Sequence, residues 1–401
     1  MFVNFHNPVL HLGGRHLSFE DGPKLLEVSM KKQVLLNASK LNNFISIGLN
    51  KMGCNKNEAD RIANSLVGAN LRGHDSHGVV RFKQYVNLIK SKILIPNQKL
   101  KIVRDTEVVS IVDGQFGFGQ SIGHKIIQIG VEKALRNGVA VTALRNSGNH
   151  GRIGELCEKA ADSNVASVHM VNAANSPLVA PFGGTEKRTG TNPFCCGVPR
   201  PNKPPLILDF ATSLISEGKA RVAQFGGKSL PDRSFTDSLG NLTNDPNAFY
   251  ELKKEGNRLV IKGIKGALTG FGLHKGSGLN FFMEIFGGAL TGSETNNENK
   301  NSKKFRNGML SIYFSMEFFN SNEWISNEID DFTNYYKRSR PADPDSEVLV
   351  PGEIELIIMK ERGHNGIPLS KNVWEDILNT SKEIGVDVSQ INDLKASKII
   401  L

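Results

Sequence analysis

Gly117-Phe118-Gly119-Gln120-Ser121-Ile122-Gly123 decides what kind of α/β protein this chain encodes. The stretch follows a short apolar run, Val108–Val112, and opens a helical pattern, Ser121–Asn137, as a dinucleotide fingerprint should. That fingerprint needs glycine at its first, third and sixth places, and the sixth place here is Ile122. The next apolar run, Gly138–Leu144, ends at Arg145 instead of at a carboxylate that would hold a ribose. The glycines therefore read as a tight strand-to-helix turn, where positive φ favours them. The expected fold is α/β without a Rossmann site.

Outward from this turn, strands and helices alternate. Lys101–Val103 reads as a strand, Ile153–Ser163 as a helix, and Val165–Val171, Leu206–Asp209 and Met309–Phe314 as strands. The alternation predicts a mixed-sheet α/β cofactor-binding domain over residues 106–324. Nearer the N-terminus, Leu41, Phe44, Ile45 and Leu49 recur at helical spacing, and Leu66, Val67 and Leu71 resume it after Gly53-Cys54-Asn55. That pattern is a helical hairpin. The chain beyond residue 325 reads as helical except for Glu353–Met359, so residues 36–105 and 325–401 are expected to form one helical layer from both chain ends. Residues 1–35 read as a poorly ordered N-terminal extension, with Met30 a candidate start. Gly276–Gly292 is expected as a buried helix, apolar on most faces, with Glu284 inside it, and Thr295–Lys304 as a polar loop.

The balance of 49 Lys and Arg against 40 Asp and Glu gives a net charge of +9. The lysines are spread along the chain without interleaved aromatics, which argues against a nucleic-acid partner and suits anionic metabolites. No apolar run reaches the roughly 18 residues of a membrane span. Cys54, Cys157, Cys195 and Cys196 lack metal-type spacing, and Cys195-Cys196 read as small apolar residues of a strand. A reduced, cytoplasmic setting is the expectation.

Chemistry concentrates in Gly73-His74-Asp75-Ser76-His77-Gly78, two imidazoles directly after a predicted helix. Imidazole exchanges protons near neutral pH. Ser76 stands one residue short of a nucleophile elbow and lacks the preceding strand. A metal held by His74 and His77 would need a distant third ligand, and no His-Glu-x-x-His or cysteine cluster offers one. Arg81 follows His77 by one helical turn and is placed to grip a substrate carboxylate. Tyr85, four positions further on, is placed to close that pocket.

Asn146-Ser147-Gly148-Asn149-His150-Gly151-Arg152-Ile153-Gly154 follows a strand and opens a helix, a place where backbone N–H groups attract anions. Arg145 and Arg152 are candidates for a 2′-phosphate. Asp209 ends the strand Leu206–Asp209 and either caps the next segment or orients an imidazole. His274-Lys275 precede a helix start, an unfavourable place for a cation unless an anion binds there.

Taken together, these segments resemble the malate/L-lactate dehydrogenase family of type 2, NAD(P)-dependent 2-oxo acid reductases without a Rossmann fold. The likeness also rests on Ala180-Pro181-Phe182-Gly183-Gly184, Gly190-Thr191-Asn192-Pro193-Phe194-Cys195, Glu217-Gly218-Lys219 and Val350-Pro351-Gly352-Glu353. It covers roughly residues 36–390 and is nearest in motif to the hydroxycarboxylate dehydrogenase B branch. The resemblance implies a homodimer that interconverts 2-oxo and 2-hydroxy acids with NAD or NADP. By the same likeness His77 is the proton-transferring residue and also touches the cofactor, with Asp209 orienting it. Cofactor contacts are implied at Gly151, Arg152, Ile153, Ile207, Leu208, Asp209, Phe210, Ala211, His274, Lys275, Asn307, Gly352, Glu353, Ile354 and Glu355. The loop departs from the family pattern at Asn149, with its histidine one place later, so His150 is assigned to the substrate side and no metal is assigned. Related expectations are a reductase of a cyclic imine carboxylate or of a diketo sugar acid. A metal-dependent hydrolase and a non-catalytic ligand-binding protein complete the alternatives.

Overall fold

A computed structural model describes residues 33–224, 229–255, 258–297 and 306–389. The expected extension falls almost wholly outside the described residues, and the expected polar loop is described only to residue 297.

The chain begins with β1 (Gln33–Leu36), α1 (Ala38–Lys51) and α2 (Lys56–Leu71). Both helices start where an asparagine side chain replaces a missing helical acceptor. Asn37 Oδ1 accepts from Lys40 N at 3.1 Å, and Asn55 Oδ1 accepts from Glu58 N at 2.9 Å. Then come α3 (Phe82–Lys90), β2 (Lys101–Asp105), β3 (Val109–Asp113), α4 (Gly119–Asn137) and β4 (Val139–Ser147). α5 (Gly154–Ala161), β5 (Val165–Ala174), β6 (Phe194–Arg200), β7 (Lys203–Phe210) and α6 (Glu217–Gln224) follow.

A small lobe holds β8 (Phe235–Thr236), β9 (Leu242–Thr243), β10 (Tyr250–Glu255), β11 (Arg258–Ile264) and β12 (Ala267–Leu268). Last are α7 (His274–Met283), β13 (Arg306–Ser315), α8 (Asn322–Lys337), α9 (Glu353–Asn365), β14 (Ile367–Ser370) and α10 (Lys371–Glu383).

The central sheet is mixed, in the order β2-β3-β4-β13-β5-β6-β7. Among the described residues its only parallel pair is β3 with β4, joined through α4. One face is covered by α4 and α5, whose Ile122, Ile126 and Leu156 pack on Val171, Met309 and Tyr313. The helical part has its own core from both chain ends: Leu41, Ile45, Leu66 and Phe82 pack with Ile367, Trp374 and Ile377. β1 pairs antiparallel with β14 and so stitches those ends together.

The start of α4 shows why this is not a dinucleotide fingerprint. A Cβ placed on Gly119 would lie 2.3 Å from the carbonyl oxygen of Asn149 and 2.6 Å from that of Gly148. The chain's own Gly148-Asn149 loop therefore lies against the helix N-terminus where a pyrophosphate would otherwise sit. The expected turn is present, but its reason differs. Positive φ falls on Gln115 and Phe116, and the glycines serve close approach.

Two further expectations are corrected. Glu353–Met359, set apart from the helical pattern, opens with the alternation Glu353-Ile354-Glu355-Leu356, yet it folds as the first part of α9. Gly352, at φ +94°, turns the chain, and Glu353 reaches back to accept from Val350 N at 3.0 Å, so the helix begins there. The buried helix expected over Gly276–Gly292 divides into α7 and a π-helical segment, Glu284–Ala289, and leaves Phe281 and Phe282 exposed.

Candidate active site

The strand register brings distant segments to one end of the sheet. Asn307 lies opposite Ser147 and Ala173, and Phe194 lies opposite both Met170 and Phe210. The Gly148–Ile153 loop, the Thr191–Pro193 turn, the end of β7 and the start of β13 therefore share that end. Buried Glu284 ties the Asn192 turn to β5 and to Asn296. It accepts from Asn192 Nδ2 at 2.9 Å, Asn172 Nδ2 at 3.3 Å and Asn296 Nδ2 at 2.7 Å.

The helical layer approaches the same end through polar contacts. Ser65 Oγ donates to Glu155 Oε2 at 2.5 Å, and Arg72 Nε donates to Glu158 Oε1 at 3.0 Å. The His74–Gly78 turn leaves α2 between these layers. Gly218 packs on it closely enough that a Cβ there would lie 2.8 Å from Ser76 Cβ, which gives Glu217-Gly218-Lys219 its structural meaning.

His77 sits in a short 3-10 turn with its Nδ1 3.2 Å from Ser76 Oγ. Part of the ring reaches the surface, yet enclosure dominates its titration. Desolvation, then the charges of Arg81, His74 and Arg152, push it down to about 3. His77 is thus a neutral imidazole in the free protein. Arg81 donates through Nε to Ser76 O at 2.6 Å and through Nη1 to Gln84 Oε1 at 2.9 Å. Among the described residues its Nη2 has no partner.

A cleft lies beside this turn, lined in part by Arg72, His74, Arg152, Ile207, Asp209, Gly352 and Glu355. Gly352 forms its wall against β7: a Cβ there would lie 3.2 Å from Ile207 N, and Ile207 N donates to Pro351 O at 3.3 Å. His74 Nε2 is 3.2 Å from Glu355 Oε1. Burial pushes Asp209 above the ordinary carboxylate value, opposed by His74, by its bond from Gly154 N at 2.7 Å and by Arg152.

Beyond the cleft, the end of β7 packs toward α7. Phe210 packs on Phe271 with centroids 5.3 Å apart, and Phe271 N donates to Thr212 O. Exposed His274 and Lys275 then begin α7, whose N-terminus has no side-chain cap. Ile207 and Asp209 thus line the cleft with Gly352 and Glu355, while His274 and Lys275 stand outside its lining.

Other expected site residues stand differently. Asp209 does not orient His77: its bond is to Gly154 N, and His77 pairs with Ser76. His150 is 2% exposed under α4, with Nδ1 3.4 Å from Gly119 O, and desolvation pushes it down to about 4. The structure encloses that ring and turns it from the cleft. Tyr85 is buried as well; its hydroxyl accepts from Gln120 Nε2 at 2.6 Å, so it forms the floor beneath Arg81 and not an open wall. Ile153 and Asn307 are buried, the latter donating to Asn172 O at 2.7 Å. Gly151, at φ +75°, turns the loop beside Gln120 and Ser65.

Leu208 and Ile354 are exposed, and Glu353 is bound to Lys337 at 2.7 Å. Arg145 pairs through Nε with Asp113 at 3.0 Å, and Arg152 through Nη2 with Glu158 at 2.6 Å. Sequence reading missed Arg72, Gln120, Glu158 and the cleft role of His74. For His74 the motif itself was a signal; the others meet the site only through folding.

Among the described residues, no group of three or more His, Cys, Asp or Glu converges in a metal-ligating arrangement, and no helix is long and apolar enough to cross a membrane. A family model described as malate/L-lactate dehydrogenase matches residues 36–378. Hydroxycarboxylate dehydrogenase B of Escherichia coli strain K12 is 36% identical over 352 residues, 87% of this chain and 94% of that protein. A malate dehydrogenase of Pyrococcus abyssi is 32% identical, over 86% of this chain and 93% of its own. The solved sulfolactate dehydrogenase of Methanocaldococcus jannaschii superposes with a TM-score of 0.77 at 30% identity, covering 89% of this chain and 99% of that one. On its sequence, its mixed sheet and the layer that closes over it, this chain belongs to the malate/L-lactate dehydrogenase family.

Proposed function

We propose that this protein is a nicotinamide-dependent 2-hydroxycarboxylate dehydrogenase, interconverting a 2-oxo acid and its 2-hydroxy acid. One observation carries the reading: a neutral imidazole, His77, stands beside Arg81 and within the field of cleft residues His74 and Arg152. A nicotinamide, when bound, supplies or takes the hydride. The cleft suits such a group, with a glycine wall at Gly352 and carboxylates for ribose hydroxyls at Asp209 and Glu355. Those carboxylates favour NAD over NADP.

Arg81 binds the substrate carboxylate through Nη2 and holds the carbonyl toward His77. That contact also changes the imidazole. Arg81 is second only to desolvation in lowering its proton affinity, so a carboxylate that neutralises Arg81 raises it toward the working pH. His77 then protonates the alkoxide in reduction and takes the proton back in oxidation.

The test is spectrophotometric: NADH and NADPH against a panel of 2-oxo acids, with a cyclic imine carboxylate as comparator. Turnover of 2-oxo acids with NADH preferred is expected. A protein inert toward every member, or active only on the imine, would overturn the reading.

The active form is proposed to be a homodimer. Aromatic side chains stand outward on two elements, Phe281 and Phe282 on α7 and Trp324, Phe332 and Tyr335 on α8. Interface cores are enriched in such residues. Light scattering is expected to give twice the 43.9 kDa chain mass, and a monomer mass would refute it.

A further inference from the structure

The turn that carries His77 is fastened from a helix that begins nearly 280 residues later. Arg362, on α9, donates through Nη1 to Asp75 Oδ1 at 2.7 Å and through Nη2 to Asp75 Oδ2 at 3.0 Å. It also donates to the carbonyl of Asn70. Such a two-pronged guanidinium–carboxylate pair fixes orientation as well as distance. The Arg362 side chain is only 16% exposed, whereas Asp75 is 48% exposed, so the cation is the better enclosed half of the pair.

Asn70 completes the fastening. Its Nδ2 donates to Asp75 Oδ1 at 2.6 Å while its Oδ1 accepts from Val79 N at 2.8 Å. The same carboxamide lies so close to Gly78 that a Cβ there would come within 2.2 Å of Oδ1. The turn from His74 to Val79 is therefore held on both sides of His77.

The other end of α9 belongs to the cleft. Gly352 begins it against Ile207, and Glu355 meets His74. Glu355 and Arg362 are seven residues apart, two helical turns on one face, or about 10 Å along the axis. One short helix thus touches the proposed cofactor wall and grips the proton-transferring turn.

We propose that Arg362 is a positioning residue: through Asp75 it sets His77 against the cleft and makes α9 the mechanical link between cofactor wall and proton donor. This rests on the reading of His77 above. Misplacing a reacting group by about 1 Å can cost on the order of 10²-fold. Arg362 does not touch the reacting atoms, so its loss affects turnover more than binding.

The experiment compares Arg362→Gln, Arg362→Lys, Asp75→Asn and the Arg362→Gln/Asp75→Asn double variant of the full chain, with His77→Asn as reference. Arg362→Gln is expected to lower kcat about 10–100-fold, with NADH affinity by fluorescence titration within about threefold. Lysine, a point charge without the fork, recovers only part of the loss. The double variant loses clearly less than the product of the two single losses, because both remove the shared Arg362–Asp75 pair. A kcat within twofold of wild type for Arg362→Gln, additive losses, or full rescue by lysine would overturn the proposal. If Arg362→Gln fails to fold, Asp75→Asn, on the exposed side of the pair, carries the same test. An inactive His77→Asn beside an active Arg362→Gln refutes the positioning role alone, whereas an active His77→Asn refutes the reading beneath it.

Discussion

His77→Asn is expected to lower kcat for 2-oxo acid reduction by about 10²–10⁴-fold, the usual contribution of general acid–base catalysis, with NADH affinity little changed. Asparagine is close in size and can still pair with Ser76 Oγ, 3.2 Å from the native Nδ1, so the turn keeps its shape. What it lacks is a proton that can be given and regained. The measurement is steady-state reduction with NADH binding followed in parallel. Equal loss of kcat and kcat/KM would place the effect in the transition state. Near-normal turnover would remove His77 from the chemistry.

Arg81→Gln is expected to raise KM for the 2-oxo acid about 10–100-fold, since hydrogen bonds to charged groups contribute roughly 1.5–3 kcal/mol. The variant has a second, opposite-looking effect on the neighbouring imidazole. Removing the guanidinium takes away a positive charge that lowers His77, so the free enzyme's imidazole titrates higher in the variant. In 2-hydroxy acid oxidation, where the base must be neutral, the acid limb of kcat/KM therefore moves to higher pH. A KM unchanged together with an unmoved limb would show that the substrate binds elsewhere.

The residues proposed to carry the chemistry were legible where they lie close in sequence. His77 and Arg81 do not share the expected helical turn: they end successive 3-10 turns, Asp75–His77 and Val79–Arg81, with extended Gly78 between them. Gly117–Gly123 was read correctly as no dinucleotide site, but for a partial reason: the decisive contact, Asn149 O against Gly119, joins two loops 30 residues apart. Asp209 was recognised as a strand-ending carboxylate, yet its partner proved to be Gly154 N and not an imidazole. His150 illustrates the opposite limit, because a loop histidine and a core histidine look alike until α4 is laid over the ring.

The start of α9 was misread because Glu353–Leu356 alternates like a strand, and only the Gly352 turn and the Glu353 cap show that it winds. Arg362 carried no signal at all. Its meaning lies in Asp75, 287 positions away, and in the carbonyl of Asn70.

The most direct measurement is the pH dependence of 2-hydroxy acid oxidation by the wild-type enzyme, with kcat and kcat/KM followed separately. The first reports the substrate complex and the second the free enzyme. If a substrate carboxylate on Arg81 releases the proton affinity of His77, the acid limb of kcat lies clearly above that of kcat/KM, which falls away only toward the depressed value of about 3. Coincident limbs, or a kcat limb that survives in His77→Asn, would contradict it.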